Sequence, residues 1–589
     1  MRKTIALFLL LLCALPQFLT AGPARRNSVW HTQPDGTRVQ LRLVGDEFGH
    51  TFVTMDGIPV IIEEDGSVRL RTVLEMDALE SERREALAES HALLARGSCH
   101  PSHVSDNTLD YRMNDFPSQG EIHGVVLLVE YADVHFSQDS AAIHDLLAAR
   151  YDADNYSEPI EYCGWSPHFS DSIKVSTTII GSARDYFRDQ SFGQFVPRFD
   201  VIGPLRLSHN RSYYGANNRS GGDSNARSMV KEACQQAYAS GHVDFSPYDN
   251  DGDGFVDFVY VVYAGSDEAQ FGPAESIWAH ASSLTESLQL GDVKVSRYAC
   301  SGELCYDTDN IVAGIGTFVH EFSHVIGMPD FYNTNTSAYG EEAFAMDVWS
   351  VLDYGMYNSE GYVPAGYTSF ERYSMGWIPM EELNEPVDMS LLPTDECRRG
   401  YRCFVSDEDT TSFIVLENIQ KSRWNSQAPT YGLMISGVNY NVAAWRSNRV
   451  NATKGMHRYH IFPANDIWRA VDESYYEYAD YKPTDHLFGK NNYSFGPDTH
   501  PASITQLGDT LSKPLTDITR KQNAPCTFRF MGGSNTIASI KDETVTEIYS
   551  LDGRQTRPTH PQETISEGSM SKGIYLVKKN GKVQKVYIK

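Results

Sequence analysis

Between Phe318 and Asn333 the sequence runs FVHEFSHVIGMPDFYN, with His320 and His324 four residues apart, Glu321 beside the first and Asp330 three residues past Gly327. Two imidazoles one helical turn apart can hold one Zn2+, and a carboxylate next to them can take the proton of a water that the metal activates. Asp330 then offers an oxygen as third protein ligand, leaving a fourth position open to water. The chemistry predicted is metal-assisted hydrolysis of a peptide bond, with Glu321 as general base and later proton donor. Glu341 and Glu342 are the rival third ligands, at the separation used when a second helix supplies a glutamate, but NTNTSAYGEEAF has no helical pattern. A helix carrying two satisfied histidines is the plain alternative, and the glycine and aspartate in register argue against it.

These residues need a helix and a sharp stop. DNIVAGIGTFVHEFSHVIG starts at an Asp or Asn, carries apolar residues at helical spacing and meets Gly327 where a helix would end, so His320 and His324 share a face. A second constellation lies upstream, where DNDGDGFVD gathers Asp249, Asp251, Asp253 and Asp257 around Gly252 and Gly254. Carboxylates crowded in a tight loop repel one another unless a hard cation joins them, and an oxygen-only set favours Ca2+ over zinc. A structural calcium site is expected, against the alternative of a solvated Asp/Gly turn.

At 589 residues, 41% hydrophobic and 22% charged, the chain is long enough for several folded domains. Its net charge of −27 argues against a nucleic-acid partner. MRKTIALFLLLLCALPQFLTAG reads as a secretory signal peptide over residues 1–21, and no later apolar run is long enough to span a membrane. A secreted or cell-surface protein is therefore expected. Export permits disulfides, and Cys300 with Cys305 and Cys397 with Cys403 are the expected pairs. Cys99, Cys163, Cys234 and Cys526 stay unassigned; Cys99, ahead of the catalytic region, is a candidate latency thiolate for zinc.

The fold class expected is multidomain α+β. Residues 22–117, with strand-like runs and then a charged helix, are expected to form a pro-domain. Residues 118–392 open on the apolar strand VVLLVEYADVHF and hold the active-site helix beside a mixed sheet. Short strands between Gly, Asn and Pro turns predict a β-sandwich over 393–535, and residues 536–589 read as a small all-β module.

HEFSHVIGMPDFY resembles the HExxHxxGxxD signature of the immune-inhibitor-A family of secreted bacterial metalloproteases, which are metzincin-like. The likeness extends through GSARDYFRDQSFGQF, YDNDGDGFVDFVYVVYAG, IWAH, WSVLDYGMYN and FIVLENIQ, over about Val125 to Gly533. It implies a zinc endopeptidase of extracellular proteins, with His320, His324 and Asp330 on the metal and Glu321 as catalyst. Leu352 stands where such enzymes place a methionine under the metal, Tyr354 stands where related enzymes carry a tyrosine reaching the metal, and Gly437 stands where the family often has histidine. Tyr354 is thus a second catalytic candidate, through a hydrogen bond to the developing oxyanion. The C-terminal LDGR, KGIYLV and KVYIK resemble sorting domains of type IX secretion, implying that machinery as a partner and a route across the periplasm and outer membrane of a Gram-negative bacterium. The competing reading is a calcium-stabilised surface adhesin on an inactive protease scaffold.

Overall fold

The computed structural model describes residues 22–588 except 26–27, 64, 97–110, 115, 150–158, 165–172, 219–221, 307–310, 335–344, 407–408, 454–455, 468–481, 505–507, 509, 534, 539–544, 551–554, 558–572 and 580–581. The signal peptide, Cys99, Glu341 and Glu342 lie outside the described residues. The chain is α+β, with several sheets and few helices.

The first sheet is an antiparallel meander of β1 (Ser28–Thr32), β2 (Arg38–Asp46), β3 (Gly49–Thr54), β4 (Pro59–Ile62) and β5 (Val68–Leu70), followed by α1 (Val73–Arg96). Three of its hairpins turn on Asp-Gly pairs, and Gly36, Gly57 and Gly66 all sit at positive φ, the conformation such turns demand. Next come β6 (Gly120–Glu130), α2 (Ser140–Ala148), the hairpin β7 (Pro159–Gly164) and β8 (Ile173–Thr178), α3 (Ala183–Gln190), β9 (Phe195–Arg206), α4 (Arg211–Gly215) and α5 (Ala226–Ala239). They are followed by β10 (Phe255–Val256), β11 (Val259–Ser266), β12 (His280–Leu290), β13 (Val293–Tyr306), β14 (Ile311–Val312), α6 (Gly316–Val325) and α7 (Ser369–Ser374). Strands β9, β6, β11 and β13 run parallel side by side, while β12 runs antiparallel along β13. The apolar run of β6 is explained by burial on both faces: Val126 and Leu128 pack with the residues around α6, and Val125, Leu127 and Val129 pack with α5.

The remaining sheets use β15 (Met380–Glu382), β16 (Val387–Leu391), β17 (Gly400–Phe404), β18 (Ser412–Ile419), β19 (Gly432–Asn439), the helix α8 (Val442–Arg446), β20 (Tyr459–Ile461), β21 (Leu515–Thr519), β22 (Cys526–Phe530) and β23 (Asn535–Ala538). One sheet has the order β15-β17-β18-β19-β20 and the other β21-β22-β16-β23. Every residue of β18 and β19 is buried. In β18, Phe413 and Val415 join the core of α6 and α7, whereas Ile414 and Leu416 join the core shared with the outer sheet. Period-two alternation thus divides one strand between two cores, each buried aromatic or branched side chain contributing about 1.5–3 kcal/mol. Last, β24 (Val545–Ser550), β25 (Gln555–Arg557), β26 (Gly573–Lys579) and β27 (Lys582–Ile588) form a separate four-stranded sheet. Among the described residues no helix is long and apolar enough to cross a membrane.

The expected disulfides are not formed: Cys234, Cys300, Cys305, Cys397, Cys403 and Cys526 are all buried thiols. Cys300 and Cys305 lie within the single strand β13, five residues apart, which is about 16 Å of rise and opposite faces; a bridge needs Cα atoms within about 7 Å. Cys403 lies in β17, which pairs with β15 and β18, and the Cys397 thiol turns back to the Arg399 carbonyl (3.2 Å). CRRGYRC is therefore not the two-stranded hairpin its spacing resembles.

Where α7 meets β18, two carboxyls are buried together. Glu371 accepts from Ser350 Oγ (2.5 Å) and the Thr368 amide (2.8 Å), and Glu417 accepts from the Ser369 amide (2.6 Å). Burial pushes Glu371 up to about 8 and Glu417 up to about 7. The folded protein therefore holds protons that the unfolded chain releases above the ordinary carboxylate range, so this site's stabilisation is complete below that range and is lost as pH rises toward 8. Glu371→Gln, which keeps an acceptor for the helix cap, is expected to flatten the fall in melting temperature between about pH 5 and 8; an unchanged slope would mean that Glu371 ionises freely.

Candidate metal centre

Helix α6 is buried along its whole length. Phe318, Val319, Phe322 and Val325 enter the core, and the opposite face carries His320, Glu321 and His324. Its end is a Schellman turn: the Gly327 amide donates to His324 O (3.0 Å), the Met328 amide donates to Ser323 O (2.9 Å), and Gly327 takes φ +101°. This turn sends the chain back beside the helix, so that Met328 O lies 2.7 Å from His324 Nδ1 and Asp330 Oδ1 lies 3.1 Å from His324 Nε2.

Both rings are fixed in one tautomer. His320 Nδ1 bonds Val351 O (2.8 Å) and His324 Nδ1 bonds Met328 O. A carbonyl can only accept, so each Nδ1 carries the proton and each Nε2 presents a lone pair. The two Nε2 atoms are 3.0 Å apart, and Asp330 Oδ1 lies 3.3 Å from that of His320. Three buried acceptors thus converge, and Asp330 Oδ1 has no hydrogen-bond partner. A cation with tetrahedral N and O preferences, zinc above all, fits this donor set. Burial, then the neighbouring His324, lowers the His320 pKa, which disfavours an imidazolium.

Glu321 Oε1 accepts the Gly22 amide (3.0 Å), while Oε2 is buried with no partner. Burial, and then the charge of Asp330, holds this carboxyl well above the usual range. Gly22–Arg25 is buried in the cleft: Trp278 Nε1 donates to Gly22 O (3.0 Å), Tyr357 donates to Pro23 O (2.8 Å), and Arg25 pairs with Glu360. An Asp46–Arg83 ion pair ties the β2–β3 hairpin to α1, and Arg83 reaches across to Thr334 O (3.3 Å) beside the site.

The WSVLDYG turn lies under the site. Val351 O holds His320, Leu352 is fully buried, and Leu352 O accepts the Phe331 amide (2.8 Å). Tyr354 opens the 3-10 helix Tyr354–Gly361, its amide donated to Asp353 Oδ1 (2.9 Å). Another tyrosine, absent from the sequence reading, sits close to the site carboxylates: burial, then the charges of Asp330, Glu47 and Asp46, holds Tyr332 well above its usual range. Over Gly437 lies the ring of His460, the cross-strand partner; a Cβ at Gly437 would meet His460 Cε1 at 2.9 Å. Asn448 was also missed: it brackets Asp330 from 118 residues away, with no local pattern to announce it. His280, on β12, bonds Tyr298 (2.8 Å) and the Trp278 carbonyl (2.7 Å), a structural role.

In the acidic loop, carboxylate oxygens of Asp249, Asp251 and Asp253 lie within 4.8 Å of one another. Asp257 stands beside them, accepting the Asn250 amide (2.8 Å) and Nδ2 (2.7 Å).

A Cβ on Gly327 would lie 2.9 Å from Asn114 Oδ1, at a φ side chains rarely adopt. Gly327→Ala is therefore expected to destabilise the fold by about 1–3 kcal/mol and to weaken zinc binding through the displaced Met328 and Asp330. A variant with unchanged melting temperature and zinc affinity would show that the turn does not set the ligands.

The chain is 26% identical over 297 residues to "Pre-pro-metalloprotease PrtV" of Vibrio cholerae serotype O1, covering 44% of this chain and 31% of that protein. It is 26% identical over 257 residues to "Immune inhibitor A" of Bacillus thuringiensis subsp. alesti, covering 39% and 36% respectively. The matched region thus spans about a third of the length of these relatives. Residues 119–378, which carry His320, Glu321, His324 and Asp330, match the family described as Immune inhibitor A peptidase M6, catalytic domain, and this likeness indicates a metalloprotease.

Proposed function

We propose that this protein is a secreted zinc endopeptidase that hydrolyses peptide bonds of extracellular proteins. The observation that carries the reading is the convergence of His320 Nε2, His324 Nε2 and Asp330 Oδ1, all acceptors, beside Glu321 in a region that matches a peptidase family. Bound zinc supplies a Lewis acid and makes a water acidic enough to attack near neutral pH. His320, His324 and Asp330 would hold it. Glu321, with Oε2 unpartnered and Oε1 on a displaceable amide, takes the proton of the attacking water and returns it to the leaving amine. Val351 O and Met328 O keep the imidazoles from turning. Tyr354 is retained as the residue that donates to the developing oxyanion. A surface adhesin on an inactive scaffold is not favoured, because the four-residue set is intact and the likeness is to peptidases.

The N-terminal part acts as a pro-domain in this reading. Its support is the burial of Gly22–Arg25 in the cleft and the Gly22 amide on Glu321, which leave a substrate no access. Residues 1–21 act as the signal peptide, and the C-terminal sheet as a sorting domain for type IX secretion across a Gram-negative outer membrane. Asp249, Asp251 and Asp253, with Asp257 nearby, bind calcium as a structural ion.

Two experiments test this. With the N-terminal part removed by limited proteolysis, the protein and its Glu321→Gln variant are both expected to bind about one zinc per chain, while only the unmodified enzyme cleaves casein; zinc absent from both, or equal cleavage, overturns the reading. In zinc-loaded Glu321→Gln protein, which cannot digest itself, calcium should raise the melting temperature, and Asp249→Asn together with Asp251→Asn should abolish that rise. An equal rise in the double variant would place calcium elsewhere.

A further inference from the structure

Asp330 has two carboxylate oxygens, and only one of them faces the histidines. The other is taken by a residue far along the chain: Asn448 Nδ2 donates to Asp330 Oδ2 (2.6 Å), and the Asp330 amide donates to Asn448 Oδ1 (2.7 Å). The two bonds clamp the aspartate by backbone and side chain together. Asn448 is itself held: its carbonyl accepts Thr334 Oγ1 (2.9 Å), and its amide donates to the carbonyl of Trp445 (3.2 Å), the fully buried indole of α8. It sits at φ +53°, a left-handed position that asparagine tolerates better than other side chains. Asn451 reinforces the junction, its Nδ2 on Phe331 O (2.7 Å) and Tyr459 O (2.8 Å).

We propose that Asn448 is the positioning residue for the third metal ligand, so that the metal site is complete only with a residue from beyond the segment that matches the peptidase family. The inference rests on the zinc reading above. Without Asn448, the Asp330 carboxylate can rotate so that both oxygens, or neither, face the place where the two Nε2 lone pairs converge. With it, Oδ2 is occupied by a neutral donor and Oδ1 alone points at the two Nε2 atoms, already fixed by their own carbonyls. A neutral amide suits this position, since a second carboxylate would compete for a proton and a cation would neutralise the ligand.

The test uses the full chain in the Glu321→Gln background, which prevents self-cleavage. Asn448→Gly keeps the left-handed backbone and removes both side-chain bonds. Asn448→Asp keeps the acceptor for the Asp330 amide but replaces the donor by a carboxylate. Both are expected to bind zinc about 10–100-fold more weakly than the parent and to shift the visible absorption of bound cobalt(II), with a lower melting temperature in chelator because the buried Asp330 loses hydrogen-bond partners. Zinc affinity and cobalt spectrum equal to the parent's in both variants overturn the proposal while leaving the zinc reading intact. A parent that binds no zinc overturns both. Weaker zinc binding with a cobalt(II) spectrum unchanged from the parent's in both variants assigns Asn448 to general stability, and overturns the proposal too.

Discussion

Two backbone carbonyls, Val351 O and Met328 O, hold the rest of the site in place. Each takes the Nδ1 proton of one histidine, so the imidazole lone pairs are turned inward before any ligand arrives. Neither carbonyl would be available without a particular turn. Met328 O depends on the Schellman motif that ends α6, and Val351 O depends on the turn in which Ser350 Oγ accepts the Leu352 amide and donates to Glu371. The precision of the centre therefore comes from main-chain geometry, which is less free to relax than long side chains.

That precision is set in a place hostile to charge. Glu321, Asp330, Asp46 and Glu47 are all buried, and Arg83, paired with Asp46, is a cation brought against this group from the N-terminal part. Unpaired buried carboxylates are costly, and burial accordingly pushes Glu321 and Glu47 toward their protonated forms. A cation at the centre and removal of the cover would both relieve this crowding.

Much of the site was readable because its signals are local. The helical spacing of His320 and His324, the stop at Gly327 and Asp330 three residues later are all short-range, and the structure brings them together. The all-buried strands β6 and β18 were readable as continuous apolar runs, though not which core each face would enter. The disulfides were misread where a local rule existed: VKVSRYACSGELCY is strand-like, and an odd separation on a strand puts Cys300 and Cys305 on opposite faces. The Gly22 contact with Glu321 and the Asn448 contact with Asp330 had no such signal, since they join residues 299 and 118 positions apart. Tyr332 was invisible for a different reason: nothing in DFY distinguishes a tyrosine beside carboxylates from one in a core.

The bond between Asp330 and Asn448 also imposes an order in time. A chain made from its N-terminus at about 5–20 residues per second needs roughly 6–24 s to add the 118 residues that separate them. During that interval both histidines can already be seated by their carbonyls, but the aspartate has no clamp. The clamp on the third ligand thus cannot form until well after the N-terminal residues that cover the site have been made.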